Sequence, residues 1–202
     1  DTVTARTDET DSTELLTATG TAVVNFGSDV PANLLSSIVL VDTPALDGQL
    51  HTHDGQSVTF ALSGGDLVGS AGATEVIRIH LVSAAAGPGA GDVTYTYSTT
   101  LSQPLEHAAG AVENAITLTG VTVQVTDSDS DTLPVSFNVT IVDDVPQAND
   151  DGTFTVTEGT PLLISTALDN DLFGADAVVL ATGVAVTTAA AKGTAVYNGN
   201  GT

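Results

Sequence analysis

Residues 133–142 have the sequence Leu-Pro-Val-Ser-Phe-Asn-Val-Thr-Ile-Val, and this stretch decides the fold class. Apolar residues occupy every second position from Val135 to Ile141, and Ser, Asn and Thr stand between them. Because successive side chains of a β-strand point to opposite faces of its sheet, this alternation predicts a strand with one buried face.

The same alternation recurs along most of the chain. Six further strands are predicted at residues 21–26, 37–41, 58–62, 77–81, 93–97 and 121–126. Turn pairs such as Asp47-Gly48 separate them, whereas the Ala-rich residues 106–115 are interrupted by glycine and predict a loop or one short turn. Seven strands with turns between them predict an all-β chain that folds as an antiparallel Ig-like or cadherin-like β-sandwich.

Composition narrows the function class. The 202 residues include 25 acidic and only three basic side chains, which gives a net charge of −22. Nucleic-acid binding is therefore excluded, because phosphate contacts need Lys and Arg, and docking on an anionic membrane is disfavoured. No run reaches the roughly 20 apolar residues of a membrane helix, so no membrane insertion is predicted. The chain has no Cys, and its lack of Met predicts a processed product or a fragment.

The chain divides into three predicted parts. The long strand ends near Val142, and an acidic linker follows at residues 143–151. About 55 residues remain, too few for a sandwich of about 100, although they include strand patterns at 153–156, 162–165, 178–187 and 194–197. We therefore predict an N-terminal linker (1–11), a β-sandwich (12–146) and a truncated second β-sandwich unit (147–202). An incomplete sheet needs strands, and residues 1–17 of a neighbouring copy are the predicted donor. The alternative is a small self-sufficient half-domain held by Ca²⁺.

An acidic window marks the candidate site. Residues 127–151 include seven Asp and no Lys or Arg. Clustered carboxylates repel one another unless a cation lies between them, and hard oxygen ligands in a flexible loop suit Ca²⁺ better than Mg²⁺ or Zn²⁺. The alternating Asp127, Asp129 and Asp131 lack the Gly and closing Glu of an EF-hand. The alternative is that these Asp residues are simply solvated turn and linker groups.

The other motifs give weaker evidence for a functional site. His51-Thr52-His53-Asp54 has the residue types of a transition-metal corner, but Asp54-Gly55 is equally typical of a plain turn. Ser, His and Asp occur without a nucleophile elbow, so we predict that the chain is not an enzyme. Asn138-Val139-Thr140 matches a glycosylation sequon, but it lies within a predicted strand and is interpreted as chance.

Two groups of motifs resemble known families. Residues 126–132, the ten-residue strand and the exit Val142-Asp-Asp-Val-Pro146 resemble the end of repeat domains in giant RTX adhesins, the surface proteins that bacteria export by type I secretion. Leu105-Glu-His107 is similar to that family's leucine–acid–histidine signature, with Glu in place of the usual Asp. Residues 148–151, 158–162 and 170–176 resemble a cadherin-like or VCBS repeat that ends before its last strand.

The resemblance implies a non-enzymatic, Ca²⁺-stiffened extender on the bacterial cell surface, which holds an adhesive region away from the cell in adhesion or biofilm formation. Its partners would be neighbouring repeat domains of the parent chain. The implied Ca²⁺ ligands are a loop group and a linker group, with Glu158 as a weaker candidate: Asp127, Asp129 and Asp131, and Asp143, Asp144, Asn149, Asp150 and Asp151. The alternative is a sugar- or protein-binding module of the same kind of adhesin. The scarcity of aromatic residues disfavours it, and Tyr95 and Tyr97, which could have faced outward, are predicted to lie in the core.

Overall fold

The structure is a computed structural model that describes residues 4–8, 16–108, 115–143, 146–173 and 179–202. Its regular elements in these ranges are nine strands, one 3-10 turn at Leu35–Ser37 and one short helix, α1, at Leu180–Gly183. The strands are β1 (Thr4–Asp8), β2 (Leu16–Asn25), β3 (Ile38–Val41), β4 (Thr59–Ser63), β5 (Asp66–Ala71), β6 (Thr74–Ala86), β7 (Asp92–Leu101), β8 (Ala115–Thr126) and β9 (Thr132–Val142).

The strands form two sheets. One has five strands in the order β2-β7-β6-β5-β4, and the other has four in the order β1-β9-β8-β3. Neighbouring strands pair antiparallel, except that β1 pairs parallel with β9. The predicted fold class, an all-β antiparallel sandwich, is confirmed, and all seven predicted strands are present within these elements.

The core lies between the sheets, on the inward positions of the alternating strands. Tyr97 of β7 stacks on Phe137 of β9 with ring centroids 4.2 Å apart, so this pair joins the two sheets. Both Tyr97 and its neighbour Tyr95 are about 1% exposed, which confirms the prediction that they belong to the core. The Tyr95 hydroxyl forms a hydrogen bond with Ser37 Oγ at 2.8 Å. Burial of the Tyr97 hydroxyl raises its pKa to about 12.

Two strands were not predicted. In β5, Leu67, Val68 and Gly69 are buried in succession, so the segment lacks the alternation that predicts strands. Residues 4–8, predicted as part of an N-terminal linker, form β1, whose register runs from Thr4 opposite Asn138 to Asp8 opposite Val142. The domain boundaries themselves stay predictions.

The prediction of strands beyond residue 146 is wrong, because the described residues of this part form none. Residues 153–156, 162–165 and 194–197 belong to no strand, and within the predicted strand 178–187, residue 178 lies outside the described residues and 180–183 form α1. A strand needs a partner for its backbone groups, and the pairing found in this part of the described chain is one isolated bridge, Gln147 with Leu172. The predicted second sandwich therefore has no sheet in the residues described.

The two ends of the sandwich differ in character. At one end, here called the acidic end, the β8–β9 turn meets residues 26–29: the amide of Ser128 donates to the carbonyl of Asp29 at 3.0 Å. At the other, the pocket end, residues 51–57 meet the chain that follows β7, and Thr52 forms a bridge with Leu105. Strand β9 runs from the acidic end to the pocket end, so the acidic turn and Asp143 lie at opposite ends of one strand.

Candidate metal centre

The β8–β9 turn, residues 127–131, is organised around the first of its three aspartates. The Asp127 carboxylate oxygen Oδ1 accepts hydrogen bonds from the amides of Asp129 (3.2 Å) and Asp131 (2.8 Å). The amide of Asp127 donates in turn to the carbonyl of Asp131 at 3.0 Å. Asp is a favoured turn residue because its short side chain can make such bonds with amides further along the chain.

One residue of the turn adopts a conformation that L-residues seldom use. Ser130 has a φ of 78°, in the left-handed region that favours glycine. With Ser130 in this conformation, the backbone curls so that the side chains at alternate positions converge. In an extended strand the same alternate residues would share a face but lie farther apart along it.

The turn brings the three predicted loop ligands together. One carboxylate oxygen from each of Asp127, Asp129 and Asp131 lies within 4.8 Å of the others. Asp127 is half-buried and the other two are exposed. Three oxygen donors at this spacing can hold a metal ion, and the remaining ligands would come from water or from backbone carbonyls.

The electrostatics of the group show the repulsion that a cation would relieve. The hydrogen bond with the Asp129 side chain lowers the pKa of Asp127, and the amides of Asp131 and Asp129 act in the same direction. The same side-chain contact, together with the charges of Asp127 and Asp131, raises the pKa of Asp129. As the pH falls, Asp129 therefore takes up a proton before Asp127 does.

A fourth acidic residue was missed by the sequence analysis. The charge of Asp29 contributes to the raised pKa of Asp129, and the Asp29 carbonyl accepts the amide of Ser128. Asp29 lies about a hundred residues before the turn in sequence, so no local pattern links the two. Its place after Asn25-Phe-Gly-Ser, a turn sequence, was the available signal.

Among the described residues, the predicted linker ligands form no second acidic cluster. Asp143, Asp150, Asp151 and Glu158 form no cluster of three acidic ligands in the described part of the chain. Asp144 lies outside the described residues, so its predicted role is untested. Glu158 sits in an exposed turn closed by the bond from the Thr160 amide to the Thr157 carbonyl at 3.0 Å.

Residues 147–152 instead bond to a later loop of the C-terminal segment. The amide of Asn149 donates to Asp171 Oδ1 at 2.7 Å, and its side-chain amide donates to the Asn170 carbonyl at 2.7 Å. The Asn170 side chain returns a bond to the carbonyl of Asp150 at 3.3 Å. These contacts hold Asn149 and Asp150 beside residues 170–171, an association that the local sequence pattern did not predict.

The predicted transition-metal corner is a structured turn. Thr52 donates its hydroxyl to Asp54 Oδ1, and the Gln56 side chain donates to Asp54 Oδ2 at 2.6 Å. His51 and His53 take part in no cluster of three possible ligands among the residues described. The turn alternative is therefore the better supported of the two.

Comparisons with protein-family models, curated proteins and solved structures found no match to this chain. The resemblance to adhesin repeats therefore stays a prediction. The helices of the described segments include none long and apolar enough to cross a membrane.

Proposed function

We propose that this chain is a non-enzymatic structural module of a bacterial surface adhesin, and that its β8–β9 turn binds Ca²⁺. The observation that carries the proposal is the convergence of Asp127, Asp129 and Asp131, with one oxygen of each within 4.8 Å of the others. Flexible turns with several carboxylate oxygens suit Ca²⁺, whereas Mg²⁺ demands a stricter octahedral geometry and gives up its waters reluctantly.

The topology supports the role of a spacer. Strands β1 and β9 pair in parallel, so both lead from the acidic end towards the pocket end. Because the first and the last strand run in the same direction, the chain enters at one end of the domain and leaves at the other, as it would in a series of domains joined end to end. The outward positions of β7 and β9 are polar, for example Thr94, Thr96 and Asn138, as expected of strands whose outer face meets water.

Thermal unfolding of the chain in Ca²⁺ and in EDTA tests the proposal. Binding to the native state alone stabilises by RT ln(1 + [Ca²⁺]/Kd), about 2.7 kcal/mol at a hundredfold excess over Kd. We expect a higher Tm in millimolar Ca²⁺ for the wild type, and equal Tm values in Ca²⁺ and EDTA for the triple variant D127N/D129N/D131N.

The matched control is Asp42→Asn, an exposed aspartate outside the acidic turn, which should keep the full response to Ca²⁺. A wild-type Tm that is equal in Ca²⁺ and EDTA would refute the calcium proposal. A response that persists in the triple variant would place the site elsewhere.

A further inference from the structure

One side of the sandwich is covered by a turn rather than by a further strand. The four-stranded sheet ends there in β3 and the five-stranded sheet in β4, and residues 42–58 connect these two strands. Within that connection, residues 46–50, Leu-Asp-Gly-Gln-Leu, form a turn that is here called the edge turn. Leu46 and Leu50 are 0% and 1% exposed, so both ends of the edge turn are anchored in the core.

The edge turn takes the place of a strand beside β8. In the described chain, β3 pairs with β8 from Thr122 to Val125, and no strand pairs with residues 115–121 of β8 on that side. Gln49 Oε1 instead accepts the Thr119 amide at 2.9 Å, and Gln49 Nε2 donates to the Thr119 carbonyl at 3.0 Å. A side-chain amide has the same acceptor and donor as a peptide group, so Gln49 satisfies Thr119 as a neighbouring strand would.

The Gln49 side chain is held in this position. Its Nε2 also donates to the Ala45 carbonyl at 2.7 Å, and its Oε1 accepts the Thr119 hydroxyl at 3.0 Å. The register of β8 against β9 shifts at the same place, where Gly120 has a φ of 77° and donates its amide to Asn138 Oδ1 at 3.2 Å. A bulge therefore interrupts the edge of β8 beside the residue that Gln49 covers.

The edge turn also covers the last strand of the other sheet. Asp47 Oδ1 accepts the amide of Phe60 in β4 at 2.7 Å. Beside it, the amide of Gly48 donates to the Val58 carbonyl at 2.9 Å, and the Val58 amide donates to the Leu50 carbonyl at 3.0 Å. The same five residues thus bond with backbone groups at the edges of both sheets, and Asp47 adds a negative charge, which disfavours the approach of another strand.

Strand β8 has the composition of a segment that pairs with copies of itself. Its residues Ala115–Thr126 include no charged side chain and no Pro, although the chain has a net charge of −22. Segments with high β-propensity, low charge and no Pro form intermolecular strand pairs when their edge is open. Repulsion between whole acidic molecules is screened by salt, whereas a hydrogen-bonding cap acts at the edge itself.

We propose that the edge turn prevents self-association: Gln49 and Asp47 keep a second copy of this chain from pairing with the edges of β8 and β4. Without Gln49, the Thr119 amide and carbonyl can bond with a strand of that copy, and the β8 edges of two copies can pair antiparallel through the same residues. This role concerns one side of the sandwich and not the acidic turn, so it does not depend on the proposed function.

Analytical ultracentrifugation of the full chain over a range of concentrations tests the proposal, in about 0.5 M NaCl so that charge repulsion is screened. The double variant D47A/Q49A should form dimers or larger assemblies that the wild type lacks at the same concentration. The control D169A/Q103A makes the same change in charge and residue type at exposed positions outside the edge turn, and it should sediment like the wild type.

Amide hydrogen exchange of dilute samples tests the contacts themselves. In D47A/Q49A the amides of Thr119 and Phe60 should exchange faster than in the wild type by about fivefold or more, because each loses its side-chain acceptor. The same two amides should be unchanged in D169A/Q103A.

Each other outcome overturns the proposal. A D47A/Q49A variant that associates no more than the wild type, even with faster exchange at the two amides, would show that the edge turn only stabilises the fold. Equal association of D169A/Q103A would assign the effect to the lost charge. If D47A/Q49A fails to fold, Gln49→Ala alone decides: it keeps Asp47 and both buried leucines, and it must associate more than the wild type for the proposal to stand.

Discussion

Two segments of this chain have the same local pattern and different structures. Phe137 and Val139 in β9 alternate with polar residues, as Phe154 and Val156 do in the C-terminal segment. The first pair is 3% and 0% exposed, and the second is 41% and 62% exposed. Strand β9 has β1 and β8 as neighbours, whereas residues 153–156 belong to no strand. Alternation therefore makes a segment competent to form a strand, and neighbouring strands decide whether it does.

The largest expected difference between the two regions is in the loss of unfolding free energy when a phenylalanine of each is replaced by alanine. Phe137→Ala removes a buried ring stacked on Tyr97 and should cost about 3–5 kcal/mol of the free energy of unfolding. Phe154→Ala removes a half-exposed ring outside any sheet and should cost within about 0.5 kcal/mol. Urea unfolding followed by far-UV circular dichroism measures both. A cost for Phe154→Ala close to that of Phe137→Ala would mean that residue 154 is packed in a core.

A smaller difference is expected from two tyrosine hydroxyls. Tyr95→Phe removes a buried bond to Ser37 and should cost about 1 kcal/mol. Tyr197→Phe removes bonds to the Leu180 carbonyl (2.8 Å) and from the Gly201 amide (3.1 Å), which lie within the C-terminal segment. Its effect should be faster proteolysis after residue 146 with an unchanged unfolding transition of the sandwich. Equal loss of sandwich stability in both variants would show that the two regions unfold as one unit.

An acid-sensitive charge network belongs to the sandwich. Burial alone would raise the pKa of Asp66, but hydrogen bonds from His80 (2.6 Å) and Arg78 (2.7 Å) outweigh it and lower the pKa. The stabilisation is therefore present above the unfolded pKa of about 3.9 and is lost as the pH falls through the lower folded pKa. We expect Asp66→Asn to cost up to about 1 kcal/mol at pH 7 and to have less effect at the acid end. Urea titrations between pH 2 and 7 measure this, and a cost independent of pH would contradict it.

In the acidic turn, a fall in pH has the opposite effect on stability. The pKa of Asp129 is raised by its contact with Asp127 and by nearby negative charge. The repulsion between the carboxylates of the metal-free turn is therefore relieved as the pH falls through that pKa, and the fold becomes more stable. Bound Ca²⁺ should lower the apparent pKa of Asp129, because cation and proton compete for the same oxygens. Carboxyl ¹³C shifts recorded against pH, with and without Ca²⁺, measure the change. An unchanged titration of Asp129 in Ca²⁺ would show that its carboxylate is not a ligand.

Sequence alone predicted the parts of the fold that depend on period-two alternation. It found β9 and six other strands, and it placed Tyr95 and Tyr97 in the core. It missed β5, whose successive buried residues break the alternation, and β1, whose role depends on pairing with a strand more than 120 residues away. It also predicted C-terminal strands, because a local pattern carries no information about whether partners exist.

Of the candidate site, the residues that are close in sequence were predictable, and the contacts between distant segments were not. Asp127, Asp129 and Asp131 are close in sequence, and one tight turn is enough to bring them together. Asp29 and the Asn149–Asp171 contact come from tertiary structure, which spacing does not encode. The polar network around Asp54 was predictable as a turn, because its donors Thr52 and Gln56 lie only two residues away.

The most direct test of the central claim is a Ca²⁺ titration of the full chain followed by backbone amide chemical shifts. The account predicts that the amides of residues 127–131 shift most and saturate with a Kd of about 10⁻⁴–10⁻³ M, and that Asp127→Asn weakens this response. Amides of residues 127–131 that stay unmoved in about 10 mM Ca²⁺, ten or more times the expected Kd, would contradict it.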